Sequence, residues 1–457
     1  MARFWKLAAA AAMVAVSSVE AISQISVKGS KFFTDDGNQF FIKGMFSCTF
    51  HLLQRHLTHR LLVGVAYQLT EDDPLIDTNQ CQLDASLMQK LGANTIRVYH
   101  VDPTGDHKGC MDAFADAGIY LFVDLDTFDT AIEQESPRWN TSQLNAFEQV
   151  LDEFQKYDNT AGVLVGNEVL TTGNGSVAAP YVKAAARDVK AYRDSKNYRN
   201  IPVGYSAADI ASLRPMLQNY LACGTNSSEA LDFFSLNAYE WCGSSSYTVS
   251  GYSQLTANVT KYNIPIFFSE TGCNTNPPRT FQDQSAIFGD DMSPYWSGAI
   301  VYEWIEETNN YGLVNYGPKV AATATGAIDG FPRSGTPTPV SPDFSNLMSQ
   351  WATATPSGTK LSDYTPTNQP PACPASTSGI WEVDPSSPLP TLGQTYKAAA
   401  ATSSSGASGT SKQSPTGTTS STSPTATKKG SAASGGKEVA GMTVGLAAVM
   451  FCFVWWL

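Results

Sequence analysis

Two runs of β-branched and aromatic residues each end in a glutamate: GVLVGNE closes on Glu168 and IPIFFSE on Glu270. A carboxyl at the end of an apolar strand sits at the edge of a core, where burial and a second acid can tune its protonation. Two such groups facing each other across a sugar are suited to glycoside chemistry. One protonates the leaving oxygen while the other attacks the anomeric carbon or activates water. A lone glutamate in this setting reads as a solvated strand end. The pair reads as a catalytic couple, with Asn167 directly before Glu168 to hold the sugar 2-hydroxyl, a contact that strengthens in the transition state. Tyr99, Tyr239, Tyr302 and Trp304 stand at other strand ends, with rings that suit stacking on pyranoses. Asp124 and Asp126 add carboxylates near the same rim and are read as orienting or charge-tuning groups, with Asp124 also expected among the substrate-binding residues. Rival chemistries lack their residues: there is no GxSxG, no HExxH, and three of the five histidines fall within residues 45–63. No metal and no cofactor is expected.

The elements that must carry these side chains repeat one pattern. Short apolar runs alternate with stretches of helical periodicity. Strands are expected at FFIKG joined to VAYQ, then at NTIRVYH (94–100), YLFVDL (120–125), GVLVGNE (162–168), IPVGYS (201–206), FFSLNAY (233–239), IPIFFSE (264–270) and GAIVYEW (298–304). Helices are expected at 81–91, 109–117, 142–157, 178–194, 207–220, 250–262 and 280–290. Continuously apolar strands are buried on both faces, as in a parallel sheet covered by helices. Eight β/α units over about 300 residues fit an α/β fold of the (β/α)8 TIM-barrel type, whose active residues lie at the C-terminal ends of the strands. There is no Gly-rich nucleotide loop after a strand.

Composition sets the surroundings. The chain has 457 residues, 15% charged and 11% aromatic, with a formal net charge of −12. An acidic chain of this kind is not a nucleic-acid binder. Residues 1–21 place Arg3 and Lys6 before an apolar run that ends in small residues, the pattern of a secretory signal peptide. Residues 437–457 end in an apolar tail, preceded by small residues at 430–434; this reads as a glycosylphosphatidylinositol (GPI) attachment signal, with Gly430 as the attachment site. The expected location is the outer face of the plasma membrane or the cell wall. Between them, 396–436 reads as a disordered stalk: Ser and Thr fill 19 of the 36 positions from 401 to 436. The folded part then comprises a catalytic domain at 22–330 and an extension at 331–395 packed on it. Sequons at Asn140, Asn174, Asn226 and Asn258 agree with secretion. Cys81, Cys110, Cys223, Cys242, Cys273 and Cys373 are disulfide candidates, and spacing alone leaves fifteen pairings open.

The runs VGNEVL (165–170), FFSETGC (267–273), RVYH (97–100), NAYEWCG (237–243) and VYEW (301–304) resemble the fungal β-1,3-glucanosyltransferases of glycoside hydrolase family 72. The resemblance spans about residues 25–330. It implies a GPI-anchored (β/α)8 enzyme that cleaves β-1,3-glucan internally and transfers the new reducing end to a second glucan chain. By the same resemblance Glu168 is the acid/base and Glu270 the nucleophile of a retaining double displacement. Tyr99, Asn167 and Tyr302 hold the donor, Asp209 and Arg214 meet the acceptor, and Gln68 and Tyr239 are further cleft residues. The residues alone would make Asp209 and Arg214 a pair on a helix surface. The resemblance also implies the disulfides Cys81–Cys110, Cys242–Cys273 and Cys223–Cys373. With only Cys373 in residues 331–395, the chain resembles the shorter class, without a Cys-rich carbohydrate-binding module. The alternatives are a hydrolytic endo-β-1,3-glucanase and a non-catalytic wall-binding protein.

Residues 45–63, MFSCTFHLLQRHLTHRLLV, interrupt the first strand and contain no Asp or Glu. Packing against a full barrel leaves little room for them. They read as the translation of an unspliced intron; removing about twenty residues restores IKGVAYQ.

Overall fold

The computed structural model describes residues 22–42, 64–127 and 129–397, which belong to one compact unit. The expected signal peptide, the 45–63 insert, nearly all of the stalk, Gly430 and the GPI signal lie outside the described residues. No helix among the described residues is long and apolar enough to cross a membrane.

Eight strands close a barrel: β1 (Gly64–Ala66), β2 (Thr95–Val98), β3 (Tyr120–Asp124), β4 (Thr160–Asn167), β5 (Val203–Ala208), β6 (Phe233–Asn237), β7 (Ile266–Thr271) and β8 (Ala299–Val301). Every neighbouring pair is parallel, and β8 pairs with β1. The helices between them are α1 (Thr78–Leu91), α2 (Lys108–Asp116), α3 (Thr141–Phe154), α4 (Ala179–Ser195), α5 (Arg214–Ala222), α6 (Tyr252–Val259) and α7 (Gln282–Ile287). Local sequence fixes their ends. Asp77 caps α1 by accepting from the Asn79 and Gln80 amides, and Gly92 ends it in the left-handed region. Asn140 and Gln143 form a reciprocal capping box at the start of α3.

The barrel's lower end is filled by aromatic rings. Phe122, Phe233 and Phe267 meet inside the barrel, and Phe32 packs on all three at 5.8 to 6.2 Å. Glycines make the space: a Cβ on Gly204 would lie 2.2 Å from the Phe233 ring, and one on Gly162 2.7 Å from Phe122. Phe32 belongs to an antiparallel sheet of Ile25–Lys28, Lys31–Thr34 and Gln39–Phe40 that plugs the bottom, a feature the sequence reading did not anticipate.

The expected first strand is therefore two elements. Gln39–Phe40 pairs with the plug and not with the barrel, and Ile42 forms a parallel bridge to Gly298. Gly64 pairs with Ile300, two rungs further along β8. The register thus resumes at Gly64 where an uninterrupted strand would have placed Gly44.

Residues 331–397 lie along the outside of the barrel. A helix, α8 (Asp343–Thr353), packs on α7 and α1, with the Trp351 indole donating to Gln284 Oε1 at 2.9 Å. Farther on, Gln394–Thr395 pairs with Arg138–Trp139. The disulfides are Cys81–Cys110, Cys242–Cys273 and Cys223–Cys373, the last closing a separation of 150 residues.

Candidate active site

Both glutamates stand at the C-terminal rim of the barrel, Glu168 just past β4 and Glu270 within β7. Glu168 has φ of 50°, a left-handed conformation that is costly for a side chain with a Cβ. Its amide donates to Ser206 O at 2.9 Å, and its Oε1 accepts from Asn237 Nδ2 at 2.9 Å. This bent exit from β4 re-aims the carboxyl.

Glu270 is 8% exposed and carries the densest set of donors. The Tyr99 hydroxyl donates to Oε1 at 2.9 Å, the Tyr239 hydroxyl to Oε2 at 2.7 Å, and Arg97 Nη1 lies 3.4 Å from Oε1. Burial pushes the Glu270 pKa up to about 7, with the Glu168 charge adding and Arg97 and the two tyrosines opposing. Held this way, the carboxylate is close to neutral pH in its protonation and rigid in its aim.

Arg97 organises the floor. It is fully buried on β2, with Nε and Nη2 bidentate on Asp124 at 3.1 and 2.7 Å. Nη2 also reaches Asn167 Oδ1 at 2.9 Å, and Nη1 reaches Ser206 Oγ at 3.1 Å and Asn237 Oδ1 at 3.4 Å. Its ring partner is Tyr99, 4.4 Å from the guanidinium carbon. One cation on β2 therefore ties together residues of β3, β4, β5, β6 and β7. Sequence reasoning quoted Arg97 within RVYH without giving it a role, and it missed Asn237 and Ser206. A buried arginine in the middle of an apolar strand was the available signal, since such a charge requires partners.

A profile for glucanosyltransferases of glycoside hydrolase family 72 matches residues 14–326. The chain belongs to this family. Among its relatives, 1,3-beta-glucanosyltransferase gas2 of Schizosaccharomyces pombe is 39% identical over 366 residues, covering 79% of this chain and 73% of that protein. Protein EPD1 of Candida maltosa is 42% identical over 320 residues, covering 68% of this chain and 54% of the relative. A solved structure of Saccharomyces cerevisiae Gas2p with laminaritetraose and laminaripentaose is similar at a TM-score of 0.68 and 36% identity, covering 80% of this chain and 74% of that one. The chain thus spans between about half and three quarters of these proteins' length.

Within this glucanosyltransferase fold the expected site residues fall into groups. Tyr99, Asn167, Glu168, Tyr239 and Glu270 meet at the rim. Asn167 Oδ1 is committed to Arg97 and Asn237, so its NH2 is the end left for a sugar hydroxyl. Tyr302, Tyr239 and Tyr311 form a set of mutually edge-on rings 5.4 to 6.4 Å apart. Tyr311 was not anticipated.

Other expectations change. Trp304 is fully buried, its indole donating to the Tyr316 hydroxyl at 3.0 Å, so it packs the core and is no sugar platform. Asp124 is 2% exposed with both oxygens on Arg97, which makes it an orienting group behind the cleft and not a direct contact of the glucan. Gln68 spends its amide on backbone, accepting from the Tyr99 and His100 amides and donating to Thr70 O and His100 O. It shapes the turn that presents Tyr99. Asp209 and Arg214 are not a pair on one helix: residues 209–213 are a loop after β5, α5 begins at Arg214, and the two side chains form an ion pair nearly out of solvent. Burial raises the Asp126 pKa to about 7, with Asp124 the second cause, and leaves Oδ1 without a partner among the described residues.

Proposed function

We propose that this chain is a retaining 1,3-β-glucanosyltransferase in which Glu270 is the nucleophile and Glu168 the acid/base. The observation that carries the assignment is the asymmetry of the two carboxyls. Glu270 is buried under two tyrosine hydroxyls and Arg97, whereas Glu168 is half-buried and has one donor among the described residues, Asn237. A nucleophile must be fixed and must attack as the carboxylate, the form that Arg97 and the two tyrosine hydroxyls favour against burial, and an acid/base must exchange protons with incoming and outgoing sugars.

In the first step a Glu270 oxygen bonds to the anomeric carbon while the bond from that carbon to the glycosidic oxygen breaks. Glu168 gives its proton to the departing oxygen. In the second step a hydroxyl of another glucan attacks the same carbon, Glu168 takes that hydroxyl's proton, and the bond to Glu270 breaks. Two inversions leave the anomeric configuration unchanged. Tyr99, Asn167, Tyr239 and Tyr302 would border the donor, and Asp209 and Arg214 the acceptor. Transfer needs the acceptor to be bound and aligned so that it outcompetes water.

Secretion, N-glycosylation at Asn140, Asn174, Asn226 and Asn258, and GPI anchoring at Gly430 complete the proposal and place the enzyme where glucan is assembled. Asn174, Asn226 and Asn258 are exposed, and the Asn140 cap uses Oδ1 while its Nδ2 has no hydrogen-bond partner among the described residues. The test is to incubate the secreted domain with a reduced laminari-oligosaccharide and size the products by mass spectrometry. Products longer than the substrate are expected. Only shorter products would make the enzyme a glucanase, and no turnover would favour a wall-binding protein.

A further inference from the structure

Four buried polar atoms without a hydrogen-bond partner among the described residues lie on neighbouring side chains beside β5 and β6, and since Asp209 Oδ1 has the Arg214 ion pair, three are left: Arg214 Nε, Glu240 Oε2 and Trp241 Nε1. Such atoms are costly to leave unpaired, about 1 to 3 kcal/mol each. Together they offer two N–H donors and one acceptor, the complement of a ligand rich in hydroxyl groups. Arg214 lies against Asp209 Oδ1 and reaches Glu240 Oε1 at 3.2 Å. The Asp209 and Glu240 carboxyls therefore converge on one guanidinium nitrogen, Arg214 Nη2. Two carboxylates crowded on a single cation repel each other when both are ionised, and one shared proton relieves that repulsion. The groups that face the pair are Arg214 from α5 and Tyr252 from α6. The Trp241 ring packs on Tyr252 at 5.4 Å, and the adjacent Cys242–Cys273 disulfide ties this segment to the residues just after Glu270.

We infer that Glu240 and Trp241 extend the acceptor platform of Asp209 and Arg214, and that the Asp209–Glu240 pair acts as a unit whose shared proton sets how often a sugar, and not water, takes the glycosyl group. The inference rests on the transferase reading. With one proton on the pair, Arg214 is balanced by a single negative charge and Glu240 Oε2 stays in place to accept a sugar hydroxyl. Loss of that proton sets two like charges against each other and drives Glu240 from its position. Asp209 is pushed up to about 7, chiefly by burial, with Arg214 opposing and Glu240 adding, so the change falls near neutrality. Partition after the glycosyl-enzyme forms is independent of how fast it forms, which separates this effect from the titration of Glu270.

The experiment measures, from pH 5 to 9, the fraction of cleavage events that end in transfer, using the full domain and a reduced laminari-oligosaccharide. The ratio of transfer to hydrolysis should be level at pH 5 to 6 and fall about tenfold per pH unit above a midpoint near 7, as for loss of one proton. Glu240→Gln, which cannot take up the second charge, should flatten that fall. Trp241→Phe keeps the ring on Tyr252 and removes only the indole N–H; it should raise the apparent KM for the acceptor several-fold. A wild-type ratio constant across neutrality overturns the inference, as does Glu240→Gln with an unaltered pH dependence or Trp241→Phe with an unaltered acceptor KM. Should Glu240→Gln fail to fold, the wild-type profile decides by itself. Absence of longer products at every pH would overturn the transferase reading first, and this inference with it.

Discussion

Replacing Tyr239 by Phe removes one hydroxyl and nothing else, and the consequence can be worked out from the geometry. That hydroxyl donates to Glu270 Oε2 at 2.7 Å. A hydrogen bond to a charged group contributes about 1.5 to 3 kcal/mol. It favours the ionised carboxylate, so its loss raises the pKa, by about one to two units at 1.36 kcal/mol per unit. Glu270 already lies at about 7. The acid limb of kcat/KM should therefore move upward by about one to two pH units, and the variant at pH 5 should be about 10- to 100-fold slower. Well above neutrality the deficit should shrink, because both enzymes are then ionised. Initial rates of laminari-oligosaccharide cleavage between pH 4 and 9 would show it. A uniform loss at every pH, with the limb unmoved, would refute the reasoning and leave Tyr239 a role in binding alone.

Arg97→Met leaves Asp124 and the other acceptors of the floor without their cation; removing one partner of a buried pair costs about 3 to 5 kcal/mol, to be read by denaturant unfolding. His107 is buried with Nε2 2.8 Å from Asp73 Oδ2 and Nδ1 3.1 Å from Glu153 Oε1. Burial opposes its charge, but the two carboxylates outweigh it and the pKa is raised. The stability it contributes is full below the ordinary histidine value and is lost as pH rises through the raised one, so the wild-type Tm should fall across that window and the Tm of His107→Gln should fall less. Deleting residues 44–63 joins Lys43 to Gly64 and preserves the register implied by Ile42 on Gly298 and Gly64 on Ile300. The shortened chain should fold with a Tm no lower than the full one; an insoluble product would show that the segment belongs to the protein.

The parts of the fold carried by continuous apolar strands were legible, because burial on both faces leaves one pattern from β2 to β8. The plug was not: its short strands are amphipathic pieces whose partner, the barrel's lower end, exists only after closure. The helix α8 was missed for the same reason, since its apolar face is explained by α7 and α1 and not by any neighbour in sequence. At the site, the glutamates announced themselves by ending strands. Arg97, Asn237 and Ser206 did not, because they point into a floor assembled from six strands and their meaning lies in which acceptors meet. Trp304 misled because a strand-end aromatic looks the same from sequence whether it faces the cleft or the helices. The backbone role of Gln68 was not legible either, since a side-chain amide serves backbone and sugar equally well.

The central claim is that Glu270 forms the bond to sugar and Glu168 manages the protons. It is tested most directly by trapping. The Glu168→Gln variant would be incubated with a 2-deoxy-2-fluoro laminari-oligosaccharide bearing a good leaving group, digested, and mapped by mass spectrometry. The account predicts a glycosyl adduct on the peptide containing Glu270, released when an acceptor glucan and an external nucleophile are supplied. An adduct on any other residue, or inversion of the anomeric carbon with no adduct, would contradict it.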